Sequence, residues 1–272
     1  MELLAWALSA GFGADKLALI AVCSVAIYVL SSHLAWRLFV LGAGRRFVVA
    51  VGRSWLGEWL EQGMRLLYYV GIPAVAVWRA QAMQLLGVPP TWVSDGQSAF
   101  LHLVGLAGAA GVASIDTALL MWLGGLFLFV AVWVWYVRVG ADHCGQVDAM
   151  PLWKALREAL FCQTLWAFYR GVASTQSENA IYISFTGLAL VVLAWGSSPL
   201  RRRDVLRSTT AYRVARDGLL LLFTVFATLS ISSLALLVTM HGMWLWASDR
   251  ILRFLAGRYA CPVSFADAPD SG

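Results

Sequence analysis

Long apolar segments separated by polar stretches are the dominant pattern along this chain. Five of them contain almost only apolar residues: 17–41, 66–86, 117–137, 180–196 and 218–247. A helix needs about 20 apolar residues to cross a hydrocarbon core that is about 30 Å thick. The pattern therefore predicts five membrane-spanning helices.

A sixth segment, 152–170, is apolar except for Lys154, Arg157 and Glu158 near its start. Hydropathy alone allows it either to cross the membrane or to lie in the interface. If it crosses, the loops with most of the arginines fall on one side of the membrane, whereas loops 87–116 and 171–179 contain no Lys or Arg. The basic loops are 42–65, 138–151 and 197–217.

The positive-inside rule places such basic loops in the cytoplasm and both ends of the chain on the other side. We therefore expect six spans, with Arg250, Arg253 and Arg258 on the side that the rule disfavours. A further membrane helix at 99–114 would change the number of spans and their sidedness.

Segment 44–65 has the pattern of an amphipathic helix at the cytoplasmic membrane surface, because its apolar residues recur at helical spacing. We expect one transmembrane helical domain over residues 1–261, with its N-terminus retained, and a polar tail over 262–272. The predicted fold is thus an all-α, polytopic transmembrane bundle of about six spans plus an interfacial helix.

Composition agrees with a membrane location. The chain has 60% hydrophobic and 13% charged residues, whereas soluble domains carry about 25% charged residues. The net charge of +5 and the 14 Trp fit arginines and rings at headgroup level. Because the basic residues lie between apolar segments, with no basic stripe along a polar face, we predict no nucleic-acid partner. The expected partners are the lipid bilayer and other membrane proteins, in a bacterial cytoplasmic membrane.

Ionisable residues inside apolar helices are costly and are candidates for function. They are His33, Arg79, Glu158 and His241, with His102 as a weaker candidate. At helical spacing Glu158 shares a face with Cys162, with Leu165 or Trp166, and with Tyr169. Glu158 could act as a general base or a metal ligand, or it could pair with Lys154 or a basic group from another helix.

The two histidines within spans, His33 and His241, also have two interpretations. Each could be a hydrogen-bonded packing residue, or it could bind a metal or the magnesium of a chlorophyll-type pigment. Pro73, in the second span, predicts a kink that frees a backbone carbonyl.

The stretches ALREALFCQTLWAFYRG and LEQGMRLLYYVGIPAVAV, about a fifth of the chain, resemble divergent bacterial members of the CAAX-protease and bacteriocin-processing family. That resemblance implies an intramembrane metallo-endopeptidase fold. Its site would have two adjacent glutamates and an arginine four residues later, then FxxxH and HxxxN motifs, which together hold a metal and an activated water.

This chain departs from those motifs. It has Arg157 and Glu158 in place of the glutamate pair, and Cys162 at the arginine position. Leu237 and Leu245 stand where the later motifs have Phe and Asn around the histidine. The resemblance therefore implies Glu158 and His241 as catalytic residues and ligands of a divalent metal, with His33 or His102 needed as a third ligand.

Three functions follow from these observations. The first is a non-catalytic, degenerate relative of these proteases that acts as a membrane interaction subunit. The second is an active protease that uses Glu158 and His241. The third is a pigment-binding or cofactor-binding subunit in which His33 and His241 are axial ligands.

Overall fold

A computed structural model describes residues 13–40, 55–79, 108–138, 150–198, 211–230 and 233–259. Every element within these ranges is helical, which confirms the predicted all-α class for this part of the chain. The helices are α1 (Ala14–Val40), α2 (Trp55–Leu66), a π-helical turn (Leu67–Gly71), α3 (Ile72–Arg79), α4 (Gly108–Arg138), α5 (Leu152–Ser174), α6 (Ala180–Ser197), α7 (Ala211–Ser230) and α8 (Leu234–Tyr259). The predicted tail, 262–272, lies outside the described residues.

The predicted segment 152–170 forms most of α5, which is the central helix of the bundle. It packs against α1, α6, α8 and the run from α2 to α3. Nearly every residue from Phe161 to Ala173 is buried. The segment therefore does not lie along the outer surface of the bundle, although its charged start lowers its hydropathy.

The predicted single span 218–247 is wrong, because two antiparallel helices replace it. The Gln163 side-chain nitrogen lies 3.3 Å from Thr224 Oγ1 on α7 and 3.0 Å from His241 Nδ1 on α8, so the chain must reverse between these two residues. Ser233 precedes α8, and its hydroxyl accepts a hydrogen bond from Leu236 N. Serine is favoured at a helix start because it binds such free N–H groups, and hydropathy alone did not reveal this start.

Contacts between polar side chains identify one end of the bundle. Ser32 on α1 bonds to Ser198 after α6, and Arg65 on α2 bonds to Glu158 on α5. Asp249 on α8 accepts hydrogen bonds from Arg216 on α7 and from the Met150 backbone before α5. We call this the basic end, because α1 and α6 end there and the sequence segments that follow them, 41–54 and 199–210, contain seven of the chain's arginines: Arg45, Arg46, Arg53, Arg201, Arg202, Arg203 and Arg207.

The hairpin of α7 and α8 corrects the expected position of the last arginines. Since Arg216 near the start of α7 binds Asp249, the neighbouring Arg250 and Arg253 also lie at the basic end. The six-span expectation had placed them at the opposite end, because it counted α7 and α8 as a single crossing.

The chain from Trp55 to Arg79 forms one continuous helical run. Residues 55–65 of the predicted interfacial helix are helical, but they continue through the π-helical turn into the predicted second span instead of forming a separate element. Residues 44–54 lie outside the described part of the chain. The turn ends at Ile72, whose N–H binds Leu67 O. Pro73 follows and has no N–H, so the helix widens where regular hydrogen bonding is interrupted.

Close approach of α5 to its neighbours depends on two glycines. A Cβ atom at Gly187 on α6 would lie 2.7 Å from Arg170 Cγ. A Cβ atom at Gly242 on α8 would lie 2.6 Å from Leu156 Cδ2 and 3.1 Å from Leu156 Cα. The absence of side chains at these two positions therefore sets how closely the helices pack.

Among the described residues, two helices are long and apolar enough to cross a membrane. They cover Ala14–Leu38, with mean hydropathy 2.1, and Ala180–Ser197, with mean hydropathy 1.8. Only 28% and 22% of these two windows are buried within the protein. Most of their apolar surface therefore faces outward.

Candidate functional site

The candidate site is built around α5, which carries polar side chains on two different flanks. Glu158 lies near the start of α5, at the basic end. Its Oε1 accepts a hydrogen bond of 2.9 Å from Arg65 Nη1, and its Oε2 accepts one from Arg65 Nη2. Arg157 Nη2 also donates to Glu158 Oε1, at 3.2 Å. Both carboxylate oxygens are thus occupied by guanidinium groups, and the bidentate pair joins α5 to α2.

Arg65 is held between this carboxylate and aromatic rings. Its guanidinium carbon lies 5.4 Å from the centre of the Phe161 ring and 6.0 Å from that of Tyr69. A guanidinium keeps its proton in proteins, and the carboxylate of Glu158 supplies the opposite charge beside it. Arg65 therefore remains a cation.

A cavity of about 490 Å³ lies beside Arg65. It is bounded by α1, by the run from α2 into the π-helical turn, and by the end of α6. The lining residues share hydroxyl, aromatic or charged side chains, with two apolar exceptions: Tyr28, Ser31, Ser32, Ala35, Glu61, Met64, Arg65, Tyr68, Tyr69 and Ser198.

A layer of hydroxyl groups lies deeper along the same flank. Tyr169 Oη and Ser24 Oγ are 2.9 Å apart, and Tyr68 Oη donates to Ser24 O at 2.9 Å. Glu158 and Tyr169 thus both lie against the α2–α3 run, and Tyr169 also contacts α1. Cys162 packs partly buried against the same cluster as Tyr169. The predicted stripe on α5 is therefore present in the structure.

His241 contacts a different flank of α5. Its Nδ1 lies 3.0 Å from Gln163 Nε2, its ring stacks on Trp166 with centres 5.5 Å apart, and it is only 3% exposed. The Thr224 hydroxyl donates to Leu220 O, so its oxygen accepts from the Gln163 amide. Gln163 Nε2 therefore donates to His241 Nδ1 as well, and the imidazole acts as the acceptor.

Glu158 and His241 therefore have separate partners. Positions 158 and 163 of an α-helix with 3.6 residues per turn point about 140° apart. Glu158 faces α2, whereas Gln163 carries the contact to His241 on α8. Within the described ranges, no group of three or more His, Cys, Asp or Glu side chains could hold a metal ion.

The remaining candidates lie elsewhere. His33 is exposed on α1. The side chain of Arg79 and the whole of His102 fall outside what the structure describes. The assignment of Glu158, His241 and His33 as catalytic residues or metal ligands stays a prediction.

Three polar residues were missed because the sequence search considered only ionisable groups within apolar segments. Gln163 and Thr224 are uncharged, and Arg65 had been assigned to the surface helix. The amide of Gln163 within an otherwise apolar stretch was the available signal, since a buried amide needs a partner.

No protein-family model, curated protein or solved structure matches this chain. The resemblance to the CAAX-protease and bacteriocin-processing family therefore rests on the sequence motifs alone.

Proposed function

We propose that this chain is an integral membrane protein that crosses the membrane several times and acts by binding, not by catalysis. Two apolar helices with outward-facing surfaces support the membrane location. The other long helices have 31, 23, 20 and 26 residues, which matches or exceeds the length that a hydrocarbon core requires.

Helix α5 contributes few apolar residues toward lipid because other helices surround it. Several of its polar side chains have partners inside the protein, as Glu158 has in Arg65 and Gln163 has in His241. Internal hydrogen bonds are what a membrane interior demands of polar groups. Low hydropathy therefore does not argue against α5 as a crossing helix.

The proposed topology has seven crossings, since the α2–α3 run counts as one and α7 and α8 count as two. The basic end then faces the cytoplasm, as the positive-inside rule requires. Arg250 and Arg253 join the other arginines there, which removes the conflict in the six-span expectation. A bacterial cytoplasmic membrane fits this charge distribution.

The non-catalytic proposal rests on the guanidinium groups that bind the Glu158 carboxylate. A general base must lie within hydrogen-bond reach of the proton that it abstracts, whereas Glu158 uses three of its roughly four acceptor sites for Arg65 and Arg157. A catalytic zinc-type site needs three protein ligands and a water, and His241 is bonded to Gln163 on another flank. We therefore favour a degenerate relative of CAAX-type proteases that serves as a membrane interaction subunit.

Metal analysis tests this proposal most directly. We would purify the full chain in detergent and measure its metal content by elemental analysis, together with the Glu158→Ala and His241→Ala variants. We expect no stoichiometric metal in any of the three. Stoichiometric metal that is lost in both variants would overturn the proposal in favour of a metalloprotease. A visible absorption band lost in His241→Ala would overturn it in favour of a cofactor-binding subunit.

Cysteine labelling in whole cells tests the topology. In a chain whose own cysteines are replaced, Glu178→Cys lies between α5 and α6, and Arg250→Cys lies at the basic end. We expect a membrane-impermeant maleimide to label position 178 in intact cells and position 250 only after permeabilisation. Labelling of both positions in intact cells would restore the six-span topology.

A further inference from the structure

We propose that the cavity beside Arg65 binds the headgroup of a phospholipid that carries both a phosphate and a protonated amine, the chemistry of phosphatidylethanolamine. This inference rests on the proposed membrane location and goes beyond it by assigning a ligand. The cavity volume of about 490 Å³ is within the usual range for small-molecule sites, about 300–1,000 Å³. It is large enough for a headgroup, while the acyl chains would remain outside.

The cavity lies at the depth where headgroups would be found. Two of its wall residues, Ser32 and Ser198, bond to each other at the basic end. Helix α2, which forms another wall, exposes Trp55 and Trp59 with ring centres 6.2 Å apart. Exposed tryptophans favour the membrane interface, so the cavity opens at the cytoplasmic interface in the proposed topology.

Arg65 provides the phosphate subsite. Its guanidinium has five N–H donors, and two of its nitrogens each donate to Glu158. The remaining donors can bind a phosphate without release of the carboxylate. Glu158 thus acts as a positioning residue, because it fixes the plane of a guanidinium that also forms part of the cavity wall.

Glu61 provides the amine subsite. It precedes Arg65 by four residues on the same helix, so both side chains project from one face about one turn, or roughly 5.4 Å, apart. The Glu61 side chain is exposed, and the structure shows no ion pair for it within the described ranges. Tyr28 and Tyr68 line the same cavity, with ring centres 5.8 Å apart, and aromatic faces attract ammonium groups.

The pairing of charges on the wall selects a zwitterion. One guanidinium and one carboxylate line the cavity, so a dipolar headgroup satisfies both. An anionic headgroup without an amine would leave the Glu61 carboxylate facing it. A quaternary amine could not donate hydrogen bonds to Glu61 or to the hydroxyl of Ser31.

Exposed apolar side chains on these helical segments favour a lipid over a soluble ligand. Leu30 and Leu34 on α1 are 69% and 60% exposed. Met64 on α2 and Leu67 at the start of the π-helical turn are 69% and 66% exposed. These side chains lie on the same helical segments that form the cavity wall, and such exposed apolar surface suits contact with acyl chains. The π-helical turn brings Tyr68 and Tyr69 onto the same wall, and such turns occur frequently at functional sites.

Native mass spectrometry of the full chain, released from detergent, would measure lipid binding. Four probes are added separately: phosphatidylethanolamine, phosphatidylcholine, phosphatidylglycerol with matched acyl chains, and soluble phosphoethanolamine. We expect phosphatidylethanolamine to bind at least ten-fold more tightly than the other three. Equal binding of phosphatidylglycerol would overturn amine recognition, and equal binding of phosphoethanolamine would overturn the lipid assignment.

Two variants and a control locate the site. Glu61→Gln should abolish the preference for phosphatidylethanolamine over phosphatidylglycerol. Arg65→Lys, which keeps the charge beside Glu158 but loses the planar fork, should weaken binding of phosphatidylethanolamine at least five-fold. Glu178→Gln, an exposed carboxylate at the other end, should change neither. Unchanged binding in both site variants would overturn the proposal.

Membrane fractionation separates the two proposals. Loss of the lipid preference in a chain that stays in the membrane fraction would contradict only the headgroup site. Recovery of the chain in the soluble fraction would contradict the proposed function itself.

Discussion

The polar side chains on the two flanks of α5 differ in their exposure to solvent. The open flank, formed by Glu158, Arg65 and the cavity, consists of charges whose side chains are 20% and 28% exposed. The closed flank contains Gln163, Thr224 and His241, joined by hydrogen bonds with almost no exposure. It continues to the buried ion pair described above between the α7 and α8 helices.

This difference shows which polar residues serve packing and which remain available to a ligand. On the closed flank the Gln163 amide donates to both Thr224 and His241, and all three side chains are buried. On the open flank a guanidinium is fixed by one carboxylate while it still forms part of a cavity wall. Substitutions on the closed flank should therefore change only the free energy of unfolding. Substitutions on the open flank should change both the free energy of unfolding and ligand binding.

The largest effect should come from the buried ion pair of the closed flank. Asp249→Ala would remove the carboxylate that binds Arg216, whose side chain is 8% exposed and which also pairs with the adjacent Asp217. Removal of one partner of a buried pair costs about 3–5 kcal/mol, so we expect a decrease of that size in the free energy of unfolding. The measurement is reversible unfolding in mixed micelles with a denaturing detergent.

A double variant controls for loss of the charge itself. Arg216→Met with Asp249→Leu removes both charges and should recover most of the lost stability, because apolar side chains of similar volume often replace a buried pair without loss. If Asp249→Ala unfolds at the same detergent fraction as the wild type, the closed flank does not depend on this pair.

The second effect concerns close packing on the closed flank. Gly242→Val would place a branched side chain where a Cβ already meets Leu156 Cα at 3.1 Å. Overpacking of this kind costs about 1–3 kcal/mol. Gly63→Val is the matched control, because nothing lies within 4 Å of a Cβ atom at Gly63. Equal loss of stability in both variants would attribute the effect to the helix propensity of valine instead of to contact with α5.

The sequence predicted helix type and most helix positions because long apolar runs have few other solutions in a membrane. It failed at residues 218–247, where Ser232 and Ser233 interrupt an apolar run without lowering its average hydropathy. A helix start depends on local hydrogen bonds to a serine, and an average over about 20 residues does not register them.

The candidate site was predicted only in part, because the sequence reveals local periodicity but not contacts between distant residues. The face shared by Glu158, Cys162 and Tyr169 follows from helical periodicity, and that face is present. Arg65 as the partner of Glu158 could not be predicted, because 93 positions separate the two residues in the chain. Only the packing of α2 against α5 brings them together, and one sequence does not specify which helices are neighbours.

A smaller effect is expected on the open flank. Glu158→Gln would leave Arg65 and Arg157 without their carboxylate, but both guanidinium groups retain access to water, with side chains 28% exposed. Exposed ion pairs contribute up to about 1 kcal/mol and buried pairs several times more, so we expect a loss of about 1–2 kcal/mol. The same unfolding assay applies. A loss of stability as large as that of Asp249→Ala would show that the Arg65–Glu158 pair is as well shielded from water as the Arg216–Asp249 pair.

The smallest effect should come from the layer of hydroxyl groups deeper along the open flank. Tyr169→Phe removes the hydroxyl that lies 2.9 Å from Ser24 Oγ, while the ring keeps its packing. Hydrogen bonds between membrane helices average about 0.6 kcal/mol in double-mutant cycles. A cycle of Tyr169→Phe with Ser24→Ala isolates that interaction, because each single variant also changes other contacts. A coupling free energy near this average would mean that the layer fixes the position of α1 against α5 without dominating stability. A coupling free energy of zero would mean that the two hydroxyls are independently satisfied, and the hydrogen bond from Tyr68 Oη to Ser24 O would then be the polar contact between the open flank and α1.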